Sequence, residues 1–80
     1  MIEIDLHSHE PSYRQLAAVL RARIESGEIA PREPLPSITS LTGETGLAVG
    51  TVRKAIGVLV DARLAYTVPG RGTFVAGGRA

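Results

Sequence analysis

Three segments with apolar residues at helical spacing, followed by two β-rich runs around a glycine turn, predict an α+β, mainly α, domain of winged helix-turn-helix order. Length supports this: 80 residues leave room for one domain, with a core only just large enough to be independently stable. Charge is the third observation. A net charge of +1 hides an imbalance, since residues 1–44 hold four arginines against seven acids, net −3. Residues 45–80 hold Arg53, Lys54, Arg63, Arg71 and Arg79 against Asp61 alone, net +4. Such asymmetry aims one basic face at an anion, with phosphate the usual candidate.

Residues 1–10 show no settled period and are expected to form an extended or mobile arm, residues 11–76 the domain, and residues 77–80 a tail. Ser12-Tyr13-Arg14-Gln15 has the spacing of a capping box, in which hydroxyl and amide satisfy each other's backbone donors. Behind it Tyr13, Leu16, Ala17, Leu20 and Ile24 form one apolar stripe, and Gly27 is placed to end this first helix. Pro31, Pro34 and Pro36 then force an extended connector. Ser37 can cap a short second helix holding Ile38 and Leu41 and closed by Gly46. Gly43 and the threonines make that helix intrinsically poor, so packing must hold it. A third helix is expected over 49–62, with Val52, Ala55, Ile56 and Leu59 on one face and Gly50, Lys54, Gly57 and Asp61 opposite. Leu64–Val68 and Thr73–Val75 flank a glycine turn, which signals a hairpin.

Composition excludes several classes. At 44% hydrophobic and 21% charged residues the chain is globular rather than disordered. Without cysteine it has no disulfide, thiolate metal site or thiol nucleophile, which is compatible with a reducing cytoplasm. No apolar run is long enough to span a bilayer, and the acidic start lacks the regions of a signal peptide, so a cytoplasmic location without membrane contact is expected. His7 and His9 fall in the arm, before any scaffold, and two ligands there give a weak metal site; surface histidines, with no metal, are expected. No serine has an evident activating partner, and neither a dinucleotide loop nor a Gly-Lys-Ser/Thr phosphate loop occurs, so the chain reads as no enzyme and as needing no cofactor.

The third helix and the hairpin carry the binding chemistry. A helix that reads base edges needs an apolar stripe on one side and small or donor-bearing residues on the other. Gly50 and Gly57 permit close approach, Thr51 and the helix N-terminus can donate to phosphate, and Arg53 and Lys54 supply cations. In Gly70-Arg71-Gly72 a guanidinium stands on a turn whose neighbours permit positive φ and add no bulk, a shape that can enter a narrow minor groove. Helix and turn together form a surface shaped for duplex DNA. The absence of stacking aromatics argues against single-stranded RNA. A winged helix used for protein contacts, through Val49 and Val60, is the alternative.

From Pro11 to Val75 the chain resembles the DNA-binding domain of the GntR family of bacterial transcription regulators. Pro11-Ser12-Tyr13-Arg14-Gln15-Leu16, with Ile24-Glu25-Ser26-Gly27, matches the opening helix of that family, and Leu35-Pro36-Ser37 its entry to the second helix. Thr51-Val52-Arg53-Lys54-Ala55 and Gly70-Arg71-Gly72-Thr73-Phe74-Val75 match its recognition helix and wing. The resemblance implies that Ser37 and Thr51 contact phosphates and that Arg53 anchors the recognition helix on the backbone. It also implies that Arg71 with Gly72 places the wing in the minor groove, and that Tyr13, Leu16 and Leu35 are core. The expected DNA-binding set is Ser37, Thr39, Val49, Gly50, Thr51, Arg53, Lys54, Arg71, Gly72 and Thr73.

Three positions depart from the family pattern. Thr39 stands where an arginine is frequent, Ala48-Val49 where the recognition helix often opens with Ser-Arg, and Arg63 where a glycine usually ends that helix. The first two remove donors that could read guanine, and Ala48 gives up an N-cap. A left-handed conformation at Arg63 would be strained. Family members typically continue into a C-terminal domain that binds an effector and dimerises; this sequence stops five residues past Val75, as a stand-alone short regulator or a fragment would. The expected function is therefore a DNA-binding transcription regulator, a repressor rather than an activator. It would bind an inverted-repeat operator, being a monomer or weak homodimer in solution that pairs on DNA.

Overall fold

The computed structural model describes residues 2–77. Three helices, α1 (Ser12–Glu25), α2 (Ile38–Thr45) and α3 (Val49–Asp61), precede a hairpin of β1 (Ala65–Val68) and β2 (Gly72–Val75). This is the winged helix-turn-helix order that the sequence predicts. Of the expected tail, Gly78 onward lies outside the described residues.

The helical stripes become the core. α3 packs across α1 and α2 and against β1. Its Val52, Ala55, Ile56 and Leu59 are buried with Leu16, Ala17 and Leu20 of α1 and Leu41 of α2, while Tyr13 and Ile24 pack at the edge. Burying an aliphatic side chain of this size contributes about 1.5–3 kcal/mol, so α3 is held chiefly along its flank. No polar side chain is buried among the described residues, and the core is entirely aliphatic.

One expectation about the N-terminal region needs correction, and another, the extended or mobile arm, gains detail. Ile2 of the arm is buried in the core cluster and Ile4 packs against it. The capping box does not form. α1 starts one residue early, with Pro11 as N-cap and no side-chain cap bond, which moves Ser12 and Gln15 out of the register that the box needs. Gln15 holds the arm instead. Its Oε1 accepts from the Asp5 backbone N–H at 2.8 Å, and its Nε2 donates to the carbonyls of Asp5 and Glu10 at 2.8 and 2.9 Å.

The turn between α2 and α3 is built by glycine and threonine. Gly46 takes φ +75° after α2, as a left-handed helix terminator does. The Thr45 hydroxyl donates to the Leu41 carbonyl at 2.7 Å and accepts from the Leu47 N–H at 3.1 Å, so one side chain closes α2 and aims the chain into α3. α3 itself ends at Ala62 and Arg63, the latter at φ +65°, the strained left-handed geometry that the sequence foreshadows.

The hairpin pairs Ala65 with Val75, Tyr66 with Phe74, Thr67 with Thr73 and Val68 with Gly72. Period-two alternation puts Ala65, Thr67, Thr73 and Val75 on the face towards α3, and Tyr66 and Phe74, stacked with ring centroids 5.9 Å apart, on the outer face. The connector is more than extended chain, because it pairs with β2. The Arg32 N–H donates to the Val75 carbonyl, Val75 to Glu33, and Leu35 to Thr73, each at 2.9 Å. A bridge between Pro34 and Phe74 completes the contact.

Candidate nucleic-acid interface

The expected contact residues gather mainly around the wing. Ser37 and Thr39, at the start of α2, line one groove with Arg71, Gly72 and Thr73 of the hairpin. Arg53 lines an adjoining groove with Gly57, Thr67 and Thr73. Both grooves include Ile38, Ile56 and Thr73, so they form a continuous concave strip between the two helices and the wing. Asp61, the only acid among residues 45–80, sits at the border of that strip two turns beyond Arg53.

Each group has a local reason for its position. Ser37 is the N-cap of α2, and its Oγ accepts from the Ser40 N–H at 3.0 Å. That bond uses a lone pair and leaves the hydroxyl proton for an outside acceptor. Ala48 opens α3 in extended geometry without any side-chain cap, so the first amides of α3 lack a side-chain acceptor. Val49 and Gly50 occupy this open first turn and are exposed; Thr51 is half-buried. The wing tip is Pro69-Gly70-Arg71, closed by the Arg71 N–H on the Val68 carbonyl at 2.9 Å. Gly70 at φ +78° and Gly72 at φ +119° flank the arginine. An L side chain at either would be strained, so the exposed guanidinium stands between two residues that add no bulk.

The two adjacent cations of α3 diverge. Arg53 faces the wing side, whereas the Lys54 ammonium lies over the Tyr13 ring, 4.4 Å from its centroid, beside α1. Lys54 is therefore removed from the strip that holds the other groups. A helical wheel places Cα positions and cannot show where a flexible four-carbon side chain settles. The Tyr13 ring is the signal that could have found it.

Electrostatically the two halves of the chain behave differently. Arg21 pairs with Glu25 at 3.0 Å and Arg23 with Glu28 at 3.6 Å. Among the described residues, Arg53, Lys54, Arg63 and Arg71 take part in no ion pair. The basic half thus keeps its charge available, and the acidic half neutralises part of its own. His7 and His9 lie exposed in the arm, and no group of three or more His, Cys, Asp or Glu stands together among the described residues. Among the same residues, no helix is long and apolar enough to cross a membrane.

Comparison with known proteins gives a consistent picture. Residues 12–75 match the model of the family described as "Bacterial regulatory proteins, gntR family". The chain is 39% identical over 67 residues to the mannosyl-D-glycerate transport/metabolism system repressor MngR of Escherichia coli, covering 84% of this chain and 28% of that protein. It is also 39% identical over 75 residues to the HTH-type transcriptional repressor NagR of Bacillus subtilis, covering 94% and 31% respectively. The chain thus spans less than a third of either repressor. Among solved structures, the AraR DNA-binding domain in complex with operator ORE1 superposes with a TM-score of 0.83 at 37% identity, covering 95% of each chain. YtrA from Sulfolobus acidocaldarius, a GntR-family transcription factor, gives 0.82 at 38% identity, covering 91% of this chain and 77% of that one.

Proposed function

The chain belongs to the gntR family of bacterial regulatory proteins, and on that premise we propose that it is the operator-binding unit of a transcriptional repressor. α3 enters the major groove by its open N-terminal turn, and the wing lays Arg71 into the adjacent minor groove. Ser37, Thr51 and the first amides of α3 donate to phosphates, and Arg53 anchors the helix on the backbone. Thr39, Gly50, Gly72 and Thr73 shape the surface that approaches the duplex. Lys54, drawn towards Tyr13, contributes charge from the α1 side.

One observation carries the reading: Arg53 and the glycine-flanked Arg71, neither in an ion pair, line the grooves between the helices and the wing of a domain that matches an operator-bound one over nearly its whole length. The operator is an inverted repeat, and two copies, monomeric or weakly associated when free, pair upon it. A cytoplasmic location and independence of any cofactor belong to the same reading.

The test is an anisotropy titration with duplex DNA across a salt series. Binding falls steeply with salt, and Arg53→Ala and Arg71→Ala each weaken it and reduce the slope of log K against log salt by about 1. No binding at low salt, together with indifference to both substitutions, would overturn the reading and leave a protein-contact module in its place. Sedimentation showing a tight dimer at micromolar concentration would overturn pairing on DNA.

A further inference from the structure

The described residues expose four large hydrophobic side chains: Leu6, Val49, Val58 and Tyr66. Leu6 belongs to the arm, Val58 faces the α1 side near Arg14 and Ala18, and Tyr66 is stacked on Phe74. Val49 differs from all three. It is 47% exposed at the first residue of α3, one turn before Arg53 and on the same side of the helix. Its neighbours offer no competing chemistry: Ala48 presents a methyl group, and Gly50 has no side chain and open space where one would be. The leading turn of α3 therefore offers hydrocarbon and backbone N–H groups, with no side-chain hydrogen-bond donor before Thr51.

A major groove presents only one hydrocarbon group on its base edges, the C5 methyl of thymine. The valine isopropyl group can neither donate nor accept. Set against guanine O6 and N7, or against the cytosine amino group, it would leave a desolvated polar group without a partner. Against thymine it buries methyl on methyl. Being β-branched, Val49 has one strongly preferred χ1 in a helix, so its methyl groups are placed before DNA arrives and little rotamer freedom is lost. Arg53, one turn on, fixes the depth and register of approach through the phosphate backbone.

We propose that Val49 is a specificity-determining residue that selects thymine in each half-site through its 5-methyl group. The inference rests on the DNA-binding reading above and deepens it. The probe is a duplex enriched by the protein from a random pool, prepared once with thymine and once with uracil, which lacks only that methyl. Wild-type protein binds the uracil duplex more weakly, by about fourfold per contacted thymine, the worth of one buried methyl. Val49→Ala, whose exposed position and good helix propensity leave the fold intact, binds more weakly overall and brings the thymine-to-uracil ratio close to one. Thermal unfolding of the variant checks that it is folded. Salt-dependent binding with no thymine preference, or with a preference that Val49→Ala leaves unchanged, would overturn this inference alone. Absence of any salt-dependent duplex binding would overturn it together with the DNA-binding reading.

Discussion

α2 and α3 are made in opposite ways. α2 has good ends and a poor middle: Ser37 caps it, left-handed Gly46 closes it, and between them Gly43 and three spaced threonines leave Leu41 as its one fully buried anchor. α3 has poor ends and a strong middle. Ala48 gives no cap and Arg63 is forced to φ +65°, yet four of its side chains are buried. An uncapped start costs about 1 kcal/mol, which one buried aliphatic residue offsets at about 1.5–3 kcal/mol. A helix held along its flank can leave its N-terminal amides without an internal partner, and those amides are then available to an external acceptor. The helix that the structure can least reinforce from within, α2, is the one that closes its own ends.

The sharpest way to break this contrast is Leu41→Ala. If α2 depends on that single anchor, chemical denaturation shows a loss of about 2–5 kcal/mol, the usual range for a buried leucine that leaves a cavity. A loss well below 1 kcal/mol would mean that the caps alone hold α2. Next come the two N-caps, which respond in opposite senses. Ser37→Ala costs about 1 kcal/mol and Ala48→Ser gains a similar amount, both read from thermal unfolding. An unchanged midpoint for Ala48→Ser would show that the start of α3 is already satisfied. The smallest effect belongs to the other end of α3. Arg63→Gly relieves left-handed strain of about 1–2 kcal/mol, offset in part by the backbone freedom that glycine loses. A net gain of about 0.5 kcal/mol follows, whereas a net loss would show that the arginine side chain contributes more there than the strain removes.

Much of this was legible in the sequence because it is local. Helical spacing identified every buried residue of α1 and α3, while Gly27 marked the end of α1 and Ser37 and Gly46 the two ends of α2 by chemistry that acts within one turn. Arg63 was legible as a strained position for the same reason. What escaped depends on partners distant in sequence. The arm looked aperiodic, although Ile2, Ile4 and Leu6 alternate as an extended strand would; only the outer end of that alternation, Leu6, is left exposed. Gln15 has one side chain and two competing uses, and with α1 starting at Ser12 it lies out of register for the cap and bonds to the arm's backbone at Asp5 and Glu10 instead. Of the binding surface, the grouping of Ser37, Thr39, Arg53, Arg71, Gly72 and Thr73 along one strip follows from the fold, whereas the turn of Lys54 towards Tyr13 is a side-chain event that no periodicity encodes.

The pairing of the connector with β2 has a consequence for how the domain opens. An isolated two-stranded hairpin is marginal in water, and such a wing would fray by itself. Here the bonds from Arg32, Leu35 and Val75 tie the root of the hairpin to the segment that delivers Ser37. Releasing the wing root therefore also releases the approach to α2, and the free energy of opening is shared between them. By that coupling the wing root and the connector open together rather than one at a time.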